Sequence, residues 1–201
     1  MESRAFQQPV IAVSMSGRII FMTEEPSMGH ALRILLPKVC PDFREFEHWL
    51  ILNHQGKSDL EQSYPKKMAN WQEPGIKFII LRDNDGSDCR NLKKRLVSIV
   101  PSGTHEFQIR IVCQELESWF LGDMQAVIEA YPRAKRNPHF NHISKQDPDQ
   151  LTNASDLIKQ LTGTGAKILR AEAIARRMQL AENRSTSFHV FILGLRKFIT
   201  D

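Results

Sequence analysis

Long apolar runs are missing from this 201-residue sequence. No stretch approaches the roughly 18 consecutive apolar residues of a spanning helix, so neither a membrane span nor a membrane partner is expected. A secretory leader is not expected either, because Met1 to Pro9 is polar, with no basic segment leading into an apolar one. Cysteine is scarce: Cys40, Cys89 and Cys113 make an odd count without CxxC spacing. That argues against a disulfide framework and a structural zinc site, and for reduced thiols in a cytoplasmic protein. Internal repeats and low-complexity segments are absent. What is there looks like an ordinary globule, 41% hydrophobic and 25% charged. The net charge of +4 permits a polyanionic partner, or simply reflects solvated basic helix faces.

Apolar runs and helical spacing alternate along the first two-thirds. Strands are expected over 18–23, 47–53, 76–81 and 107–113. Helices are expected over 27–38 with Ser27 as cap, 58–71 with Ser58 and Glu61 at capping-box spacing, 88–100, and 116–131. Residues 132–152 are rich in Pro, Asn, His and basic side chains and read as a loop. Helices follow over 153–163, 165–178 and 185–199, the last capped by Ser185. This order predicts an α/β fold: a four-stranded parallel sheet with helices on both faces and a C-terminal helical extension. The expected divisions are an N-terminal extension (1–17), a core (18–131), and a basic loop with helical extension (132–201).

Ligands bind such sheets at the carboxyl ends of the strands. There the sequence places Glu24 and Glu25 after the first strand, Asp83, Asp85 and Asp88 after the third, and Glu115 and Glu117 after the fourth. Gathered carboxylates repel and raise one another's pKa unless a counter-charge joins them. Hard oxygen-seeking cations, one or two Mg²⁺ or Mn²⁺ ions, suit that role and the hydrolysis of phosphodiesters. Individually, Asp and Ser after strands also serve as turn formers and caps, and Asp88 is placed to cap the next helix. Counted from Asp83, an EF-hand loop fails, with Asp88 at the sixth position and Lys94 at the twelfth. "DNDGS" (83–87) fits the aspartate-nucleophile motif of haloacid-dehalogenase phosphatases. However, it stands on the third strand, and "GDMQAV" lacks the second Asp of their later motif.

The segment "FMTEEPSMGHALRILLPKV", then Asp83-x-Asp85, then "CQELESWFLGD", resembles the Toprim catalytic domain of OLD-type and RloB-type nucleases. Together with "HQGKSDL" and "NRSTSF" these segments are similar to a bacterial family known as a domain of unknown function. The resemblance covers residues 18 to 198 and makes the core Toprim-like. Glu25 stands where Toprim proteins usually have glycine. The resemblance implies a metal-dependent nuclease, with Glu24, Asp83 and Asp85 holding the metal and Glu115 or Glu117 binding a second ion or acting as base. It also implies antiviral defence beside an ABC- or AAA-type ATPase encoded nearby. A topoisomerase or primase is not expected, because only Tyr64 and Tyr131 are present and there is no room for their extra domains.

Lys57, after the second strand, is a candidate phosphate or transition-state contact. Its GKS is not a P-loop, since position 51 is Ile. Lys167 lies where OLD-like nucleases would supply a catalytic lysine; the alternative is an exposed helix lysine. Arg133, Lys135 and Arg136, with Arg184, are candidates for nucleic-acid phosphates, or are solvated. Trp49 and Trp119 are expected in the core. The expectation is a metal-dependent nuclease. The alternatives are a Toprim-like interaction subunit without catalysis, or a phosphatase with Asp83 as nucleophile.

Overall fold

The computed structural model describes residues 17–103, 105–163 and 165–200. The extension expected over 1–17 lies, but for Gly17, outside these described residues. Four strands, β1 (Ile19–Thr23), β2 (Trp49–Asn53), β3 (Lys77–Asp83) and β4 (Glu106–Val112), form one parallel sheet in the order β2-β1-β3-β4. The connecting helices are α1 (Pro26–Val39), α2 (Lys57–Asn70) and α3 (Cys89–Ser98). After β4 come α4 (Leu116–Gly122), α5 (Met124–Ala130), α6 (Phe140–Ile143), α7 (Ala154–Thr162), α8 (Lys167–Ala175) and α9 (Thr186–Thr200). The α/β architecture, with its all-parallel sheet, flanking helices and C-terminal helix, is as expected. Among the described residues no helix is long and apolar enough to cross a membrane.

Strand pleating divides the core in two. Ile19 and Phe21 of β1 and Ile79 and Leu81 of β3 pack with α1, α4, α5 and the C-terminal helices. Ile20, Met22, Phe78 and Ile80 face the other way, onto Leu60, Tyr64 and Met68 of α2 and Leu92 and Leu96 of α3. Burial on both faces explains why β1 and β3 read as unbroken apolar runs. A truncation such as Ile79→Ala would cost about 2–5 kcal/mol. On the first face α1 approaches β2 so closely that a Cβ on Gly29 would overlap the Asn53 amide.

Several local expectations need correction. Ser27 lies inside α1, which starts at Pro26, and Ser58 lies inside α2, whose N-cap is Gly56 with φ 101°. Proline is favoured in the first turn of a helix, and the positive φ of Gly56 lets the chain turn two residues earlier than a Ser58 cap would. The helix expected over 116–131 breaks at Asp123, whose carboxylate accepts from Ala126 N–H and so starts α5. Residues 132–152 are not a loop throughout: they hold 3₁₀ turns at Pro132–Arg136 and Pro148–Gln150 as well as α6. Each is too short to show a period. Asp88 caps α3 by accepting from Asn91 N–H at 2.7 Å, and Ser185 Oγ accepts from Phe188 N–H at the start of α9.

Candidate active site

β2 departs from β1 on one side and β3 on the other, so the topological switch point lies between β1 and β3. The first site residues stand there. Glu24 follows β1 and Asp83 ends β3, and Glu24 Oε2 accepts from the Asp83 N–H at 3.0 Å. Glu117, in the first turn of α4, and Glu25, the N-cap residue of α1, join them. Lys167, from the first turn of α8, reaches in to bridge Glu25 Oε2 at 2.6 Å and Glu117 Oε1 at 3.5 Å. Glu25 is further fixed by Ser27 Oγ–H donating to its Oε1 at 2.5 Å. Thus Lys167, which the sequence left open as an exposed helix lysine, stands in the carboxylate cluster. Glu25, read as a departure from a glycine position, is its anchor.

The cluster is short of positive charge and of hydrogen-bond donors. Glu24, Asp83 and Glu117 are all buried. Burial lifts the Asp83 carboxyl well above its ordinary range, and the negative charges of Glu24, Glu25 and Glu117 push it further. Burial likewise raises Glu24, against the opposing hydrogen bond from Asp83 N–H, and raises Glu117, against the pull of Lys167. Burial works against the Lys167 ammonium, but Glu117 and Glu25 outweigh it, and its pKa rises. Two buried carboxylate oxygens, Asp83 Oδ1 and Glu117 Oε2, have no hydrogen-bond partner among the described residues. Orphaned oxygens of this kind are costly, and they are the donors a hard divalent cation prefers. Among the described residues no group of three or more His, Cys, Asp or Glu side chains is already drawn round one point for a metal ion. Here the ammonium of Lys167 is the cation that draws Glu25 and Glu117 together.

Asp85 has a different setting. It is paired with Gly86 in a turn where both residues have positive φ, 50° and 72°, closed by Ser87 N–H donating to Asn84 C=O. Asp-Gly suits such a turn. The Asp85 carboxylate is half-exposed and meets Lys57 Nζ at 3.3 Å and Arg82 Nη1 at 3.4 Å. Arg82, buried at the end of β3, also pairs with Glu61 of α2, which in turn takes a two-pronged contact from Arg95 of α3. Asp85 remains near enough to Glu24 to raise its pKa.

Other candidates lie elsewhere. Glu115 is the N-cap residue of α4, and its Oε2 accepts from Ser155 N–H at 2.8 Å, tying β4's exit to α7. Arg133, Lys135 and Arg136 are exposed on a 3₁₀ turn, where Arg133 and Arg136 line a cavity of about 570 Å³ with Tyr131 and Asn137. Arg184 donates to the carbonyls of Gln146 and Leu121. Trp49 and Trp119 are buried in the core. Sequence reasoning missed Arg82, although a charged residue closing an apolar strand run was a visible signal.

A family model described as Domain of unknown function (DUF4276) matches residues 23–196, from the end of β1 into α9. The chain belongs to that family. No curated protein and no solved structure matches it. None of these findings ties the chain to Toprim, OLD-type or RloB-type proteins. The matched stretch contains every member of the cluster, from Glu24 to Lys167.

Proposed function

We propose that this protein is a Toprim-like, divalent-metal-dependent nuclease whose site is the carboxyl edge between β1 and β3. The observation that carries this reading is the cluster of Glu24, Asp83 and Glu117, raised in pKa and left with two partnerless oxygens. A cation beyond Lys167 would relieve such a site once the side chains close round it, and the oxygen donors suit Mg²⁺ or Mn²⁺. Glu24, Asp83 and Glu117 would hold the ion, which when bound would lower the pKa of a water and neutralise phosphate charge. Lys167 supplies a fixed positive charge beside the cluster, oriented by Glu25. Lys57 stands on the solvent side of Asp85, where it can meet a phosphate oxygen. Arg82 holds Asp85 in place and cannot swing out, because Glu61 grips it from α2.

Asp83 as a phosphatase nucleophile draws less support: it ends the third strand rather than the first, and "GDMQAV" lacks the second Asp of the later phosphatase motif. The antiviral role and the ATPase partner belong to this reading through the resemblance alone. The test is incubation with plasmid, single-stranded DNA and RNA in Mn²⁺ or Mg²⁺, with Asp83→Ala and Glu24→Ala beside the unaltered protein. Cleavage by the unaltered chain that both variants lose is expected. Binding of nucleic acid without cleavage under every condition would leave the interaction-subunit reading in its place.

A further inference from the structure

A cavity of about 590 Å³ opens beside the acidic edge, between the loop after β3, α3, β4 and the start of α9. Its walls carry Arg90, Lys93 and Arg110, and none of the three forms an ion pair among the described residues. Burial and the neighbouring Arg110 both hold the Lys93 ammonium below its usual pKa, and burial does the same to the Arg110 guanidinium. Arg110 is held in place, since it donates to Gln108 Oε1 and packs where a Cβ on Gly194 of α9 would have to go. The three aspartates at the cavity wall keep their charge but take their hydrogen bonds from other groups, and none pairs with these cations among the described residues. Asp88 caps α3, Asp147 accepts from Asp149 N–H, and Asp149 accepts from Ser185 Oγ–H and Ser187 N–H. Lys93 and Arg110 are adjacent like charges that repel, and with no carboxylate at ion-pair distance among the described residues an anion seated between them would relieve both.

A second observation points the same way. Asn84, the residue after Asp83, borders this cavity and is only 2% exposed. Its Nδ2 donates to Ser87 C=O at 2.7 Å and to Gln114 Oε1 at 2.8 Å. Those two bonds fix the amide's orientation, because a flip would turn both donors into clashes between acceptors. Its Oδ1 is left buried without a partner among the described residues. A donor reaching this oxygen from the cavity would satisfy it, and a nucleotide unit carries such a donor beside an anionic group.

We infer that this cavity is the strand-binding subsite, seating one nucleotide of a single-stranded nucleic acid with a backbone phosphate on Lys93 and Arg110 and a base or sugar donor at Asn84. Its substrate class rests on the nuclease reading of the adjacent edge; the site itself rests on the cavity.

The test is fluorescence anisotropy with a labelled single-stranded oligonucleotide in EDTA, so that binding is read without cleavage. Lys93→Glu is compared with Lys94→Glu, the same charge reversal on an exposed neighbour outside the cavity wall. Lys93→Glu is expected to weaken binding about tenfold more than Lys94→Glu, as loss of a phosphate contact would. Arg90→Glu serves as the second cavity variant if Lys93→Glu does not fold. A mononucleotide or inorganic phosphate should compete far more weakly than unlabelled oligonucleotide. Equal effects of the cavity and control reversals, or displacement by inorganic phosphate as effective as by the oligonucleotide, would overturn the subsite. Selective loss of binding in a chain that cuts nothing would keep the subsite and remove the nuclease. Cleavage with equal binding by both variants would do the reverse.

Discussion

Asp149 and Asp83 are the same residue type at nearly the same burial, 8% and 7% exposed, and their surroundings are opposite. Asp149 accepts from Ser185 Oγ–H at 2.6 Å and Ser187 N–H at 2.8 Å, with the Ser187 hydroxyl also in reach. That hydroxyl in turn accepts from Trp119 Nε1–H. Around Asp83 stand Glu24, Glu25 and Glu117, with Lys167 as the nearby cation, and one of its oxygens has no partner among the described residues. Burying a carboxylate is costly unless hydrogen bonds or charge compensate it. The first aspartate is compensated by the fold, and ties α4 and α9 together. The second is compensated only in part, so the fold bears a cost that a ligand can remove. Sites with perturbed groups of this kind are where function concentrates.

The largest expected effect is on activity at the uncompensated aspartate. Asp83→Asn keeps the volume and removes the charge. Cleavage in Mn²⁺ should fall at least about a hundredfold, since even residues that only support metal ligands cost 10- to 100-fold. Its melting temperature should hold or rise, because repulsion from three carboxylates disappears. A melting temperature that drops as far as that of an Asp149 variant would show that both aspartates are structural.

Next in size is the stability loss at the compensated aspartate. Asp149→Ala strands Ser185 and Ser187 and leaves buried donors unpaired. With hydrogen bonds to charged groups worth about 1.5–3 kcal/mol, the loss should be about 3 kcal/mol. That corresponds to roughly 6–12 °C for a chain of this size, read by calorimetry. A change below 1 °C would mean the network contributes nothing net.

A smaller effect should appear in the pH dependence. The folded pKa values of Asp83, Glu24 and Glu117 lie above their ordinary ones. Between the ordinary and the raised values the folded state binds more protons than the unfolded state. Stability without metal should therefore fall as pH rises through that window, and recover as pH falls to the ordinary carboxylate range. Saturating Mn²⁺ should flatten the slope by replacing protons at the cluster. Melting curves in EDTA and in Mn²⁺ across that window give the readout. Identical slopes in both would remove the cation from the account.

The same contrast explains what the sequence could and could not disclose. Period-2 and buried-run patterns expose strands whose faces are covered, and β1 and β3 were legible for that reason. Strand ends are local, so Glu24, Asp83 and Asp85 could be placed on one edge once a parallel sheet was expected. Lys167 was not legible in the same way. It arrives from α8, far along the chain, through packing of α8 on α1, and no local pattern encodes that approach. Asn84 also escaped notice, because a turn residue's orphaned oxygen is visible only when every partner of its amide is placed. The compensated Asp149 lay in a stretch read as loop, where its partners, Ser185 and Ser187, are 36 and 38 residues away.

Glu115 and Glu117 give the finest division, because the sequence offered them as equivalents. Two residues separate them, but Glu115 stands just outside α4 and Glu117 inside its first turn, so they point to different neighbours. Glu115 bonds the Ser155 N–H of α7, and Glu117 faces Lys167. Glu115→Gln keeps an acceptor oxygen for Ser155 and loses only the strength that charge adds, so it should cost about 1 kcal/mol. Cleavage should stay within about threefold of the unaltered chain, while Glu117→Gln should lose activity on the scale of Asp83→Asn. The pair is measured in one assay, with melting temperature as the second readout. If Glu115→Gln removes activity and Glu117→Gln does not, the metal-binding oxygens come from the α4 cap rather than from its buried first turn.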